Sequence, residues 1–184
     1  PLDLPKYRTA DCTTKLAPIV SSARAAKIIL EKWKTLYDYL PDLIVVEGPK
    51  AGGHLGFKLN QITDSEYSIE KLIPDVVREV AIFEKKYNQE IPVVAAGGIY
   101  YGENMYDIMQ LGAKGVQVAS RFVTTEECDA DVKFKNTYVK AVENDVEIIQ
   151  SPVGMPGRAL EGKFLENVKL GLTRPKSCPY NCLH

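Results

Sequence analysis

Four times along the chain a short apolar run is followed by a segment of helical periodicity, and this alternation restricts the fold more than any other feature. The runs lie at residues 15–20, 43–46, 91–94 and 115–119. The run at 43–46 is continuously β-branched and aliphatic, as a strand buried on both faces of a parallel sheet is. Pro18 fits the first run only near a strand start or a sheet edge. Ser21 or Ser22 can cap a helix whose apolar face is Ala25, Ile28, Ile29, Trp33 and Leu36, and Pro41 ends it. A second helix is expected with Pro74 in its first turn and Val76, Val77, Val80, Phe83 and Tyr87 inward. A short helix over residues 104–111 should bury Met105, Ile108 and Met109, with Gly112 at its exit. Asp129 or Asp131 can cap a last helix running to about Asn144, with Phe134, Tyr138 and Val142 on one face.

Strand–helix units with crossovers of this length give an α/β fold with parallel strands, either a (β/α)8 barrel or a doubly wound sheet. A complete barrel takes roughly 250 residues and eight units, so about four units amount to half of one. A single domain over residues 1–184 is expected. Residues 1–14 form a polar lead-in, residues 57–68 a polar connection, and residues 145–184 a C-terminal loop extension with a Cys-bearing tail. Residues 147–160 are so rich in Pro and Gly that a packing loop or lid is expected there, without regular structure. At 45% hydrophobic and 26% charged residues the chain has the composition of a soluble globular protein, and its net charge of −1 gives no electrostatic case for nucleic acid or an anionic membrane. No apolar run reaches the roughly 18 residues of a membrane span and the start is not that of a signal peptide, so a cytoplasmic location is expected. Cys12, Cys128, Cys178 and Cys182 are too scattered for a disulfide framework; Cys178, Cys182 and His184 are at most half a metal site, and no metal is expected.

The unusual residues sit where strands stop. Glu47 and Gly48 end the second run, Pro49 blocks further pairing, Gly52 and Gly53 free the backbone, and His54 follows. The third run ends in Gly97 and Gly98, and the fourth leads through Gln117, Val118 and Ala119 to Ser120. Parallel strands all end on one side, so these loops converge on one rim. Backbone N–H groups at Gly97 and Gly98 and at Ala119 and Ser120 make a donor array suited to a phosphate. His54, whose imidazole nitrogens can accept or donate a proton, suits either proton abstraction or hydrogen bonding to a ligand. No nucleophile elbow, Walker loop or metal-ligand cluster occurs at the rim, which leaves hydrolase and NTPase chemistry without support.

Four motifs in order carry a resemblance: Val-Glu-Gly-Pro-Lys-Ala-Gly-Gly-His-Leu-Gly at 46–56, Pro-Val-Val-Ala-Ala-Gly-Gly-Ile at 92–99, Gly-Val-Gln-Val-Ala-Ser-Arg-Phe at 115–122 and Ser-Pro-Val-Gly-Met-Pro-Gly-Arg at 151–158. Together they resemble the nitronate monooxygenase family, formerly 2-nitropropane dioxygenase, which includes the flavin-dependent enoyl-acyl carrier protein reductase II. The resemblance implies the C-terminal portion of an FMN-containing TIM barrel. Gly97, Gly98, Gln117, Val118, Ala119 and Ser120 would hold the FMN phosphate, Glu47, Gly52 and Gly53 would line the flavin, and His54 would be the catalytic residue. It implies oxidation of alkyl nitronates with O2 or, in the reductase branch, NAD(P)H-dependent reduction of an enoyl thioester. Relatives usually read Gly-Thr where this chain has Ala119 and Ser120, and nitronate-oxidising relatives often carry Gln where it has Glu47. A different class of reading is a non-catalytic half-barrel that binds a phosphate ligand. A half-barrel also implies open strands at 15–20 and 115–119, hence association into a homo-oligomer and weak FMN binding by the isolated chain.

Overall fold

The computed structural model describes residues 1–9, 13–151 and 154–173. Its elements in chain order are β1 (Ile19–Val20), α1 (Ala23–Tyr37), β2 (Ile44–Glu47), β3 (Gly53–His54), α2 (Ile69–Tyr87), β4 (Val93–Ala96), α3 (Gly102–Gln110), β5 (Gly115–Gln117), α4 (Ser120–Val123), α5 (Val132–Lys140), β6 (Val146–Gln150), β7 (Pro156–Leu160) and α6 (Lys163–Lys169). Strands β1, β2, β4 and β5 form a parallel sheet in that order. The expected parallel α/β architecture is therefore present, with β1 and β5 as its edges.

The core explains the order. Ile44, Val46, Val93 and Ala95 are buried in the sheet, and Ala26, Ile29, Leu30 and Trp33 of α1 and Ile73, Val76, Val80 and Phe83 of α2 belong to the same apolar cluster. Ser22 caps α1, its Oγ accepting from the Ala25 N–H at 3.2 Å. The lead-in is docked: the Trp33 indole donates to the Pro1 carbonyl at 3.1 Å, and the Tyr37 hydroxyl to Asp3 at 2.8 Å.

Several expectations are corrected. The first strand is paired only at Ile19 and Val20, although the Leu16 and Pro18 carbonyls accept from Asp42 and Val45 of the next segment; Pro18 has no N–H with which to extend the ladder. The buried face of α1 is turned from the expected one, so that Ile28 and Leu36 are exposed and Leu30 is inside. Helix α2 begins five residues before Pro74, which lies within it. A proline inside a helix costs about 3 kcal/mol through the lost hydrogen bond and the ring's clash with the preceding turn, while burying Ile69, Leu72 and Ile73 returns about 1.5–3 kcal/mol each, so the earlier start wins. Met105 and Met109 of α3 are exposed and Ile108 alone is buried, because α3 flanks the open edge at β5. Asp131 caps α5, accepting from Lys133 at 2.7 Å, but the helix ends at Lys140 and buries no residue.

The largest correction concerns residues 147–160. They are not irregular: β6 and β7 form an antiparallel hairpin that takes β3 as its third strand, in the order β3-β7-β6. No helix among the described residues is long and apolar enough to cross a membrane. Cys178, Cys182 and His184 lie outside the described residues, and no metal-holding cluster occurs among those described.

Candidate functional site

Glu47 lies opposite Ala96, and Ala96 opposite Gln117. These three residues make one row across β2, β4 and β5, and each strand ends at it. The unusual strand ends are thus brought to a single rim. The Glu47 carboxyl is partly buried with no ion pair among the described residues, and burial pushes its pKa above the ordinary carboxylate value.

Beyond Glu47 the chain folds against the end of β4. The Gly48 N–H donates to Ala96 O at 2.9 Å, and Ala51 N–H closes the turn on Gly48 O at 3.1 Å. Gly97 and Gly98 have φ of 92° and 80°, a region that L side chains avoid. A Cβ at Gly97 would lie 2.9 Å from Ala51 N and 3.1 Å from Gly48 O, and one at Gly98 would lie 2.8 Å from Lys50 Cβ. The two glycines let the β4 loop press against residues 48–51. Gly52 and Gly53 differ, because a Cβ at either would meet nothing within 4 Å.

The approach leaves main-chain donors unspent. Among the described residues, the N–H groups of Gly97, Gly98, Ile99, Val118, Ala119 and Ser120 donate to no protein acceptor. They fall into two sets, one directly after β4 and one directly after β5. Alongside, Arg121 donates to the Tyr100 carbonyl at 3.0 Å and lies over the Tyr100 ring at 5.3 Å, tying the same two loops together.

His54 stands on β3, opposite Gly157 of β7. Its side chain is exposed and makes no hydrogen bond among the described residues. Gly157 offers it no side chain across the strand. Arg158, the next residue, is the contributor that sequence reasoning passed over. Its Nε donates to Ala51 O at 3.0 Å and its Nη2 to Pro49 O at 2.8 Å, and burial lowers its pKa. The available signal was its place at the end of the 151–158 motif, which gave no hint of a partner some hundred residues earlier. A groove of about 470 Å³ between α1 and α2, lined by Lys27, Glu31, Glu79 and Tyr87 among others, includes none of these residues.

Comparison with known proteins bears on what such a rim belongs to. The profile of the nitronate monooxygenase family matches residues 4–183. The chain belongs to the nitronate monooxygenase family. Among relatives, a probable nitronate monooxygenase of Staphylococcus haemolyticus is 32% identical over 177 residues, covering 89% of this chain and 47% of that protein. One from Staphylococcus saprophyticus is 32% identical over 130 residues, covering 69% and 34%. Among solved structures, FabK from Thermotoga maritima superposes with a TM-score of 0.67 at 28% identity, over 91% of this chain and 47% of that one. A nitroalkane oxidase from Streptomyces ansochromogenes, at 23% identity, TM-score 0.60 and coverage of 83% and 40%, shares the fold. The chain therefore spans about half the length of such relatives or less, and its four-stranded sheet is a portion of their TIM barrel. The family is one of oxidoreductases.

Proposed function

We propose that this chain is part of an FMN-dependent oxidoreductase that oxidises alkyl nitronates with O2. The observation that carries the reading is the double set of unspent N–H groups at the ends of β4 and β5, in a family of oxidoreductases. Donors without protein acceptors, gathered at two neighbouring strand ends, fit a phosphate. Gly97, Gly98, Gln117, Val118, Ala119 and Ser120 would hold the FMN phosphate, and Glu47, Gly52 and Gly53 would line the flavin ring. Bound there, FMN would supply the redox chemistry, with O2 as second substrate and a carbonyl compound and nitrite as products. His54 would take a proton from the carbon next to a nitro group, or hold the nitronate oxygen by a hydrogen bond. Its exposed ring suits either role, since no protein group occupies it.

A second reading, an NAD(P)H-dependent enoyl-acyl carrier protein reductase, is favoured by one residue. Glu47 stands where nitronate-oxidising relatives often carry Gln, and FabK is among the solved structures this chain resembles. Anaerobic mixing of the FMN-loaded protein with an alkyl nitronate and, separately, with NADH decides between them. Bleaching of the flavin by nitronate, followed by nitrite release in air, supports the first reading. Bleaching by NADH alone supports the second, and bound flavin that neither reagent bleaches would make the chain a non-catalytic binding module. With this reading go a cytoplasmic location and association of copies through the open edges at β1 and β5.

A further inference from the structure

We propose that Arg158 is a positioning residue: its guanidinium fork sets the direction of the main-chain donors of Lys50 and Gly52 and holds His54 at the rim for an anionic oxygen of the ligand. Arg158 acts twice on the same loop. Its backbone lies opposite Gly53 in the β3–β7 ladder, and its side chain donates to Pro49 O at 2.8 Å and Ala51 O at 3.0 Å. All peptide bonds described are trans, and in a planar trans peptide the C=O and N–H point in opposite directions. The Pro49 carbonyl shares its peptide with the Lys50 N–H, and the Ala51 carbonyl shares its own with the Gly52 N–H. Turning both carbonyls onto the guanidinium therefore turns both N–H groups away from it. Neither N–H reaches an acceptor among the described residues, and the space beside Gly52 is open. The result is two aligned donors two residues apart, with His54 two residues further on.

The guanidinium itself is half-buried and makes no ion pair with a carboxylate among the described residues. Two carbonyls thus receive a full cationic charge, which makes these hydrogen bonds stronger than neutral ones. Lysine cannot replace this, since a point ammonium lacks the rigid fork that spans two fixed acceptors. The ladder extends the effect to His54: Leu55 N–H donates to Pro156 O at 2.8 Å, so His54 lies between two tied positions.

The role of the donors toward a ligand rests on the rim reading above; the mechanical role of Arg158 does not. The test compares the full chain with Arg158→Lys and Arg158→Ala by amide hydrogen exchange and FMN titration. Both variants are expected to speed exchange at Ala51 and Leu55 by roughly tenfold or more, from the loss of two charge-assisted bonds, with Val46 and Ala95 unchanged. Methylguanidinium is expected to restore slow exchange in Arg158→Ala, and FMN affinity in both variants to fall about tenfold. Wild-type exchange in Arg158→Lys would overturn the proposal, because charge and packing would then suffice without the fork. Uniform acceleration across the sheet would overturn it too, as the mark of general destabilisation. If Arg158→Ala does not fold, Arg158→Lys decides alone. Failure of wild-type protein to take up FMN would sink the rim reading while the exchange comparison still judges Arg158.

Discussion

Gly97→Ala isolates the contact on which the rim is built. Two penalties apply. At φ 92° an L side chain is strained by about 1–2 kcal/mol. The new methyl would also lie 2.9 Å from Ala51 N and 3.1 Å from Gly48 O, both main-chain atoms of a turn closed by its own hydrogen bond, and such overpacking costs about 1–3 kcal/mol. Together the loss is about 2–5 kcal/mol, a large part of the roughly 5–15 kcal/mol by which domains are stable. Two other glycines separate the contributions. Gly53→Ala, at φ 74° with nothing within 4 Å, carries the strain alone and should lose about 1–2 kcal/mol. Gly52→Ala meets nothing and lies outside the positive-φ set, so it should be neutral or gain about 0.4–1 kcal/mol through the unfolded chain. Trp33, the only tryptophan and fully buried, reports urea unfolding by fluorescence. A Gly97→Ala midpoint no lower than that of Gly53→Ala would refute the close packing of the two loops.

Glu47→Gln should stabilise the fold at neutral pH and not in acid. Burial raises the folded pKa, so the fold favours the protonated carboxyl; that contribution is complete below the unfolded value of about 4.3 and is lost as pH rises through the folded value. Because the group is partly exposed, the gain should stay under about 1 kcal/mol, and equal urea midpoints of the two proteins across pH 4–8 would count against it. Among the described residues Ser151 Oγ is buried without a hydrogen-bond partner, so Ser151→Ala should be neutral or stabilise by about 1 kcal/mol; a clear loss of stability would show that the hydroxyl is satisfied in solution. His54→Ala should leave the melting temperature unchanged, since the ring is exposed and unbonded, while removing nitronate turnover. Full turnover in that variant would take His54 out of the chemistry.

The parts of the fold legible in the sequence are those set by local pattern. The runs around Val45 and Val94 are paired strands of the parallel sheet, although Val94 is only partly buried, and Ser22 and Asp131 cap helices where hydroxyl and carboxylate precede a periodic segment. What failed depended on partners distant in the chain. Pro74 marked a helix start by its own preference, but Ile69, Leu72 and Ile73 bury against the core and carry the helix past it. The strands β6 and β7 looked like a loop because Pro156 and Gly157 discourage strand structure; their order comes from pairing with each other and with Gly53 and His54. Helix α5 read as amphipathic from Phe134 and Tyr138, yet those rings pack on each other at 5.1 Å and nothing of α5 is buried. At the rim, the glycines and His54 were visible as residue types. Arg158 was not, because its meaning lies in two carbonyls on another loop.

Amide NMR of the full chain during FMN titration registers weak as well as tight binding, and so reads whether the ends of β4 and β5 hold the phosphate of FMN. Shift changes are expected to concentrate at Gly97, Gly98 and Ile99 and at Val118, Ala119 and Ser120, with smaller changes at Gly52 and Gly53. An unchanged spectrum at millimolar FMN, or changes centred on the α1–α2 groove, would contradict that placement.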